Sequence, residues 1–433
     1  MKAIVVGGGA AGIAAACRLA EQGAEVLLLE RTPRLGGRAA SFAYRKMEEE
    51  VDYGAHVLMR CFTETRSLFA RLGMQKAVSV QKRLHVSLRS TQGGGSLVSA
   101  PLPGIFHLLP SVLRYRPLRF RDRLLTVRAG LPLLCSPLPE DREFGGWLRR
   151  HGQGPSVMAH FWEPICNATL NGHADTLSVS AAGKVFKEGF FRPHGAGLGF
   201  FALPLSRVFS AAGSFLHDHG GAVRLQTTVT RILIKKNRAY GVEFVNGERI
   251  GSEWIISAVP PFDLLSLLPP AVAANPPFDR VAALQWSPIV NLHLWFDRSV
   301  MDEFFFVAVG SPLQVVFNVS RIQGKKGPAH IVVSQSAATE WLDLPLDEIR
   351  DRLLTALGAL LPAVQGARLL DSLVVKNPRA TFLPAPGIEV LRPASRTPIE
   401  RLLLAGDFTA TGWPSTIEGA VRSGNAAARL VSD

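Results

Sequence analysis

The chain has 433 residues, of which 47% are hydrophobic and 19% are charged, and its formal net charge is +13. This length favours two domains with a large buried core, and no apolar run reaches the roughly twenty residues of a membrane-spanning helix. The positive charge favours an anionic partner, and without a helix-turn-helix, zinc-finger or RNA-recognition signature we expect a membrane surface and no nucleic acid.

A glycine-rich loop follows the first apolar run, residues 3–6. Gly7, Gly9 and Gly12 have the spacing of a dinucleotide-binding fingerprint. In that pattern the first glycine allows a tight turn, the second lets the backbone approach a pyrophosphate, and the third permits close packing of a helix on the sheet. The alternative is an ordinary glycine-rich turn.

The elements after this loop favour the nucleotide-binding interpretation. Small residues over 13–23 predict a helix whose amino end points at the phosphate. A second apolar run, 26–29, ends at Glu30. A carboxylate at that place accepts hydrogen bonds from ribose hydroxyls.

A second turn, Gly36-Gly37-Arg38, comes shortly afterwards. Two glycines followed by an arginine let backbone and guanidinium approach one anionic group together. We therefore predict a second contact to the pyrophosphate, with a surface turn as the alternative.

Residues 101–134 combine apolar side chains with many arginines. On a predicted helix over 118–131, a single stripe carries Phe120, Leu124, Val127 and Leu131. The surrounding arginines are Arg114, Arg116, Arg119, Arg121, Arg123 and Arg128, and the only nearby acid is Asp122. Such a helix can lie in a membrane interface with its arginines at anionic headgroups. The alternative is an amphipathic helix that faces the core.

Residues 223–259 read as a β-rich segment. Short strands are predicted over 223–225, 229–234, 240–245 and 254–259, with turns at Gly241 and at Asn246-Gly247. The carboxy-terminal part has a buried strand over 401–404 that leads to Gly406-Asp407.

The last helix is predicted to begin at Thr416, because Ser415 and Glu418 match a capping box. Gly419, Ala420, Ser423 and Gly424 leave one of its faces almost bare. A flat group can lie against such a face. The alternative is a helix that packs closely on a sheet.

The four cysteines, Cys17, Cys61, Cys135 and Cys166, are far apart and form no CxxC pair. Neither a disulfide framework nor a metal site is expected. The first apolar stretch is too short for a signal peptide, so a cytoplasmic location is expected.

Together these motifs resemble those of the flavin amine oxidase and carotenoid desaturase superfamily. The resemblance implies an α/β fold in which a discontinuous Rossmann-type FAD-binding domain, residues 1–60, 214–280 and 396–433, is interleaved with an α+β substrate domain. That second domain would comprise residues 61–213 and 281–395, with the membrane-contact segment at 101–134. No cysteine follows Cys166, so the FAD is expected to be noncovalent.

The resemblance also assigns roles in holding FAD. Glu30 would hold the adenosine ribose, Arg38 would lie by the pyrophosphate, and Val229 would meet the adenine. Asp407 would bond the ribityl or pyrophosphate region, and the helix from Thr416 would point at the flavin N1/O2 edge. The complete expected set is Gly7, Gly9, Ala11, Gly12, Glu30, Arg31, Gly37, Arg38, Val229, Gly406, Asp407, Ser415, Thr416 and Ile417.

A narrower resemblance depends on residues 52–58, 161–171 and 406–420, which include the blocks Trp162-Glu163-Pro164 and Thr409-Ala410-Thr411-Gly412. These blocks are similar to those of the hydroxysqualene dehydroxylases of bacterial hopanoid pathways, which reduce hydroxysqualene to squalene. The resemblance implies a long-chain isoprenoid substrate and peripheral association with the inner face of the membrane.

Loss of hydroxide needs a general acid, and His56 and Glu163 are the candidates within these blocks. Each has a structural alternative, as a core histidine or a hydrogen-bonded scaffold residue. No second dinucleotide fingerprint is present, because the glycines at 195–199 lack its flanking elements. Electrons are therefore expected from a separate donor or from nicotinamide that binds transiently at the flavin.

Other activities also fit these motifs. An oxidative enzyme, either a carotenoid desaturase or an amine oxidase with noncovalent FAD, is the nearest alternative. The other is a non-enzymatic escort protein that binds prenyl chains without functional flavin.

Overall fold

The structure is a computed structural model that describes residues 1–134 and 141–432. Cys135 lies outside the described residues.

The strands are β1 (Lys2–Val6), β2 (Glu25–Leu29), β3 (Ser41–Tyr44), β4 (Glu49–Asp52), β5 (Val57–Met59), β6 (Val78–Val80), β7 (His85–Ser90), β8 (Gly93–Val98), β9 (Leu198–Phe201), β10 (Ala222–Arg224), β11 (Val229–Lys235), β12 (Arg238–Phe244), β13 (Arg249–Gly251), β14 (Trp254–Ser257), β15 (Trp286–Phe296), β16 (Phe305–Ala308), β17 (Val315–Asn318), β18 (Ala329–Ser336), β19 (Leu369–Phe382) and β20 (Leu402–Leu404).

The α-helices are α1 (Ala10–Glu21), α2 (Thr63–Arg71), α3 (Leu109–Leu113), α4 (Phe120–Gly130), α5 (Phe144–Arg150), α6 (Pro155–Val157), α7 (Glu163–Leu170), α8 (Val179–Val185), α9 (Leu205–Asp218), α10 (Pro261–Leu267), α11 (Pro270–Ala273), α12 (Val319–Ile322), α13 (Leu346–Leu360) and α14 (Ile417–Ser432). Two π-helical segments, Met158–Trp162 and Phe186–Phe190, interrupt this helical region.

A parallel sheet in the order β10-β2-β1-β14-β20 forms the centre of the nucleotide-binding part. Its strands are apolar on both faces, as expected for a parallel sheet that is covered on both sides. Ala3 and Val5 pack with α1, α9 and α14 on one face, and Ile4 and Val6 pack against β11, β12 and α10 on the other. The α/β fold predicted from the sequence is confirmed.

The glycine fingerprint has the backbone geometry that its spacing predicted. Gly7 has φ +106°, and a Cβ there would lie 2.8 Å from the Ala258 carbonyl oxygen. A Cβ on Gly12 would lie 1.9 Å from the Gly7 carbonyl oxygen. Only glycine at these positions lets β1 turn sharply into α1 and lets α1 pack against the turn.

A second, seven-stranded sheet has the order β19-β15-β18-β17-β16-β7-β8 and is mainly antiparallel. Helix α13 covers one of its faces. The helical layer formed by α3 to α8 packs with β7, β8, β16 and β17. A large apolar cavity lies within this second part of the molecule.

The strands of the two sheets follow the predicted division of the chain, but two helices cross it. Helices α2 and α9 pack on the core of the parallel sheet, although most of their residues were assigned to the substrate domain. Leu68 and Val208 are buried in that core. The precise domain boundaries stay a prediction.

One predicted turn is wrong and one is confirmed. Gly241 lies inside β12, where a Cβ would come within 2.4 Å of the Ile250 carbonyl oxygen, so this glycine permits close strand pairing. The turn before it is formed by Lys236 and Asn237, which both have positive φ. Asn246-Gly247 does join β12 to β13, with Gly247 at φ +82°.

The capping box predicted for the last helix is also wrong. Thr416 precedes α14 and accepts a hydrogen bond at Oγ1 from the Gly419 amide at 3.1 Å, so it caps a helix that begins at Ile417. Glu418 instead accepts bonds from the backbone amide and hydroxyl of Thr65. Its carboxylate therefore joins α14 to α2.

The bare face of α14 packs closely on a helix, α1, as well as near the end of the sheet. A Cβ on Gly424 would lie 2.1 Å from the Ala11 carbonyl oxygen. Close packing of α1 on α14 therefore uses part of the small-residue face that the sequence analysis left for a flat group.

Candidate functional site

The amino end of α1 is open to an anion. Gly9 precedes the helix in an extended conformation, no side chain caps it, and its first turn carries no acidic residue. A Cβ on Gly9 would meet only the Gly37 Cα, at 4.0 Å. Amide donors at a helix start together with an open glycine loop are the features that bind a phosphate.

The second glycine turn meets this loop, and the predicted second contact to the pyrophosphate requires the two turns to be close. The Gly36 amide donates to the Gly8 carbonyl at 2.9 Å, and Gly9 and Gly36 form an isolated bridge. Gly37 has φ +61° and lies directly against Gly9. Glycines that are 27–28 residues apart along the chain thus form one backbone cradle.

Glu30 is buried at the end of β2 and is held by two backbone donors. The Gly8 amide donates to Oε2 at 2.7 Å, and the Thr32 amide donates to Oε1 at 2.8 Å. A carboxylate has about four lone-pair sites, so two acceptor positions stay free for ribose hydroxyls.

Asp407 follows β20 and is paired across the molecule. The Arg38 guanidinium forms an ion pair with Oδ1, and the Ser415 hydroxyl donates to Oδ2. Burial alone would raise the pKa of Asp407, but the Arg38 charge and these hydrogen bonds lower it on balance. Arg38 also donates to the Ala380 carbonyl at 3.0 Å. The four residues connect the second glycine turn, β19 and the approach to α14.

The other residues that were expected to hold the cofactor lie in different environments, some buried and some exposed. Gly406 donates its amide to the Ser423 hydroxyl at 2.7 Å, which joins the end of β20 to α14. Ala11 is buried against α14, so only its backbone can face a phosphate. Arg31 forms an exposed ion pair with Asp263 at 3.1 Å, and Val229 is buried at the start of β11.

These features fit FAD. The open amide donors of α1 match a pyrophosphate, and the buried Glu30 carboxylate matches a ribose. Ser415, Thr416 and Ile417 form the wall of the large cavity where α14 begins. A helix amino end at that wall stabilises negative charge on a ring that faces it.

The large cavity has a volume of about 290 Å³, and apolar side chains form most of its wall. Trp413 and the residues at the start of α14 line it, as do Leu97 of β8 and Tyr115. Both π-helical segments contribute to the wall, through Phe161 and Phe190 among others. Such segments occur frequently at functional sites.

The two acid candidates occupy different environments. His56 lines the large cavity, and its Nδ1 lies 2.8 Å from the Gly54 carbonyl oxygen, so Nδ1–H donates and Nε2 is the free nitrogen. Burial lowers the pKa of His56, and the charge of Asp52 opposes that effect. His56 is therefore placed to exchange a proton with a group in the cavity.

Glu163 does not line the cavity, which corrects its assignment as the acid in an apolar tunnel. Its carboxylate accepts a bond from the Ala174 amide at 3.1 Å and faces the His173 ring at 3.4 Å. These contacts fix the chain after α7, so Glu163 is a scaffold residue.

Sequence reasoning missed other polar residues of the cavity wall. Lys184 and Glu188 line it and lie 3.8 Å apart, and the Lys184 ammonium lies 5.1 Å from the Trp413 ring centroid. Asn167 also lines it. The spacing of Lys184 and Glu188 on a helix was the available signal, but it is shared by many solvent-exposed ion pairs.

Over residues 1–134 and 141–432, no group of three or more His, Cys, Asp or Glu side chains is placed to hold a metal ion. Cys17, Cys61 and Cys166 are free thiols. Cys61 lines the cavity, and burial raises its pKa to about 12, so it is not a thiolate at neutral pH.

Known proteins share this architecture. Residues 10–432 match the family described as flavin containing amine oxidoreductase. A 15-cis-phytoene desaturase from Glycine max is 25% identical over 454 residues, which cover 99% of this chain and 79% of that protein. An oxidoreductase from Methanosarcina mazei superposes with a TM-score of 0.79 at 18% identity, with 100% of both chains covered. Cyclohexylamine oxidase from Brevibacterium oxydans gives a TM-score of 0.69 at 17% identity, covering 100% of this chain and 98% of that one.

Proposed function

The chain belongs to the flavin containing amine oxidoreductase family, with FAD as its cofactor, and from this premise we propose that it acts on a long apolar isoprenoid. The reaction we favour is the reductive dehydroxylation of hydroxysqualene to squalene. The observation that carries the proposal is the large apolar cavity that extends from the start of α14 and has the His56 imidazole in its wall.

The apolar wall fits a hydrocarbon chain. Transfer of some thirty carbons from water at about 0.8 kcal/mol per CH₂ group is worth on the order of 20 kcal/mol. A substrate with that driving force resides in a bilayer and not in water. An enzyme for it needs an apolar site and a route from the membrane.

The chemistry requires a hydride and a proton. The allylic alcohol R–OH, a hydride and a proton give R–H and water, so atoms and charge balance. When bound and reduced, FAD supplies the hydride, and a separate donor returns its electrons. Once His56 has gained a proton at Nε2, it delivers that proton to the leaving hydroxyl oxygen while Nδ1–H stays on the Gly54 carbonyl, and the apolar wall excludes competing water.

The test is anaerobic mixing of the photoreduced holoenzyme with hydroxysqualene. We expect the flavin to reoxidise while squalene forms in equal amount. No reoxidation and no squalene would contradict dehydroxylation.

A His56→Gln variant tests the proton donor. Gln keeps a polar side chain of similar size but cannot transfer a proton, so flavin reoxidation should slow by roughly 100-fold or more. The substrate concentration at half-saturation should change little. His219→Gln, at an exposed histidine that does not line the cavity, is the matched control and should retain the wild-type rate.

Carotenoid desaturation is the second candidate, because several relatives at 25–26% identity over the whole chain are phytoene desaturases. In that reaction the substrate loses a hydride to oxidised flavin and a proton to a base. Mixing the oxidised holoenzyme with 15-cis-phytoene distinguishes the two, because flavin bleaching with a new conjugated product supports desaturation. The phosphate cradle and Glu30 argue against a non-enzymatic escort protein without functional flavin, because both fit the dinucleotide.

We also propose that the segment 101–134 lies against an anionic membrane. It exposes large apolar side chains, namely Leu102, Phe106, Phe120, Leu124, Leu131 and Leu134. Arg114, Arg116, Arg119, Arg121 and Arg128 are exposed beside them. Arg123 is excluded from this set, because it donates to the Leu118 and Leu113 carbonyls. Val127 packs into the core, so the exposed stripe is narrower than the sequence predicted.

The same segment also reaches the large cavity, because its buried Tyr115 lines that cavity. None of the helices in the described part of the chain has the length and apolar character to cross a bilayer. Phe120 and Leu124 would enter the interface while the exposed arginines bind headgroups.

Flotation with liposomes tests the membrane proposal. Replacing Arg116, Arg119 and Arg121 by Gln should reduce binding to anionic vesicles by roughly 100-fold, because each lost charge costs about 1 kcal/mol. Replacing the exposed Arg224, Arg231 and Arg249 on the β10–β13 side is the matched control. Equal flotation of both triple variants would contradict the proposal.

A further inference from the structure

A pair of buried histidines lies behind the cavity wall. His293 Nδ1 and His330 Nε2 are 3.0 Å apart, and both side chains are about 99% buried. The other two ring nitrogens, His293 Nε2 at the inner end of the pair and His330 Nδ1 at the outer end, have no hydrogen-bond partner. Buried polar atoms without partners are costly, so two at the ends of one hydrogen-bonded pair call for an explanation. We refer to these residues as the histidine pair.

The outer end of the pair is directed toward the surface. His330 Nδ1 lies 3.7 Å from a Glu49 carboxylate oxygen, which a small side-chain rotation or one water would bring into hydrogen-bond range. The same oxygen accepts a bond from the Lys325 ammonium at 2.7 Å. Glu49 and Lys325 are partly exposed, with 18% and 29% of their side chains accessible, so this end can exchange protons with solvent.

The inner end of the pair faces a small cavity of about 20 Å³. His293 and His330 line it together with Asp52, and so does Gln323, whose Oε1 also lacks a partner. A cavity needs about 10–15 Å³ to hold a water, so one water fits among these polar atoms.

Asp52 is the next polar group after the histidine pair and the small cavity, on the side toward the active site. Both hydrogen bonds to its carboxylate, from the Ser41 hydroxyl at 2.6 Å and the Leu205 amide at 2.9 Å, go to Oδ1. Oδ2 therefore has no described partner. Asp52 interacts electrostatically with His56, and Ala55 lines both the small cavity and the large one.

The protonation states of the two histidines and Asp52 suit the transfer of a proton. Burial lowers the pKa of His293 to about 4 and, with the nearby His293 and Lys325, lowers that of His330 well below its usual value. Both rings are therefore neutral at pH 7, with one N–H and one lone pair each. Burial raises the pKa of Asp52 more than its hydrogen bonds lower it.

We propose that the histidine pair and water in the small cavity form a proton path between Glu49 at the surface and Asp52 and His56 at the active site. A proton that arrives on His330 Nδ1 releases the Nε2 proton to His293 Nδ1. His293 then gives its Nε2 proton to the water, which passes a proton to Asp52. One proton enters and one leaves, and both rings end in the other tautomer until ring rotation or reverse transfer restores them.

This proposal rests on the proposed function, because a proton must reach His56 for every hydroxyl lost. It also explains how His56 can act as an acid although burial lowers its pKa. His56 needs only to pass on a proton that reaches its Nε2 from Asp52 through water, because Nδ1 already carries the proton that it donates to the Gly54 carbonyl.

A high-resolution crystal structure of the holoenzyme is the first test, and it requires no substrate. We expect an ordered water within hydrogen-bond distance of both His293 Nε2 and the Asp52 carboxylate. A dry cavity would overturn the proposal, whichever substrate the enzyme uses.

Stopped-flow kinetics of a His293→Gln variant are the second test. Flavin reoxidation by saturating hydroxysqualene should slow at least about tenfold, with a larger solvent isotope effect in D₂O and unchanged dependence on substrate concentration. Added imidazole should restore the rate of His293→Ala, because it can occupy the space of the missing ring. A merely structural role would show neither the isotope effect nor the rescue.

Trp295→Phe is the matched control. The Trp295 ring stacks on His330 with centroids 4.5 Å apart, so the variant disturbs the same packing without removing a proton carrier. Its rate should stay within about twofold of wild type. A His293→Gln rate equal to that of wild type would overturn the proposal.

The two hypotheses fail in different ways. Inactivity of the wild-type enzyme with hydroxysqualene would refute dehydroxylation. The variants would then be compared with 15-cis-phytoene, where a proton leaves along the same path. If the enzyme is inactive with both substrates, the presence or absence of the ordered water in the crystal structure decides whether the proton path exists.

Discussion

At the scale of single residues, the position of a side chain relative to the cavity distinguishes two proton-donor candidates that the sequence could not distinguish. His56 and Glu163 both lie in motifs of the same narrow resemblance and can both donate protons. Only His56 lines the cavity, whereas Glu163 holds Ala174 and His173. A titratable group acts on a substrate only when it reaches the reacting atom, so geometry precedes pKa in assigning its role.

Glu163→Gln should therefore leave turnover within about twofold of wild type while changing the pH dependence of stability. The hydrogen bond to Glu163 raises the pKa of His173. A raised pKa in the folded state stabilises the protein below the unfolded value of about 6.5, and this contribution is lost as pH rises through the raised value.

The variant should lose less than about 1 kcal/mol at pH 5.5, because the His173 side chain is 55% exposed. At pH 9 the two proteins should differ less. Urea unfolding at both pH values measures the difference, and a large loss of turnover in this variant would contradict the scaffold role.

At the scale of elements, the contact between α1 and α14 joins the two ends of the chain. Gly424 allows these helices to approach until backbone meets backbone, with its would-be Cβ 2.1 Å from the Ala11 carbonyl oxygen and 2.9 Å from the Ala15 amide. Backbone atoms cannot rotate away as a side chain can. Helix α1 begins at the glycine loop and α14 begins at the cavity wall, so their spacing sets the distance between these two parts of the candidate site.

Gly424→Ala should destabilise the protein by about 1–3 kcal/mol, because the helices must separate to admit the methyl group. FAD affinity should fall as well. Gly358→Ala on α13 is the matched control, since its Cβ meets no atom within 4 Å, and it should stabilise by about 0.4–1 kcal/mol. Urea unfolding of both variants checks the contrast, and equal effects would refute the packing argument.

At the scale of the whole molecule, the cofactor site is assembled from segments that are distant in sequence. The pair of Arg38 and Asp407 joins residues 369 positions apart, and β1 of the same sheet pairs with β14. A dinucleotide that contacts the α1 loop, Glu30 and the start of α14 would connect these segments further. Binding to the folded state alone stabilises it by mass action.

Adding FAD to the apoprotein should raise the free energy of unfolding by about 2.7 kcal/mol at a concentration of one hundred times Kd. Gly9→Ala is the informative variant. Its methyl group would meet only the Gly37 Cα at 4.0 Å, so the apoprotein should be as stable as wild type. The methyl group would still occupy the space of the pyrophosphate, so the stabilisation by FAD should be lost; calorimetry with and without FAD measures both effects.

The sequence by itself determined the nucleotide-binding part, because its signals are local. The spacing of Gly7, Gly9 and Gly12, the acid at Glu30 and the turn at Asn246-Gly247 depend on backbone conformations of neighbouring residues, which the residue types dictate. The predicted apolar stripe left open whether Phe120 and Leu124 face a membrane or the core, and the structure places both at the surface.

Only the tertiary structure decided which side chains meet. One example is the cavity wall, which includes His56 but not Glu163. Others are the close contact of Gly424 with Ala11 and the hydrogen bond between His293 and His330. In each case, sheet order and helix packing bring the residues together. Such contacts are long-range in sequence and arise from the burial of apolar faces, so no local pattern specifies them. Motif spacing therefore identified the cofactor, and packing determined what the cavity can do.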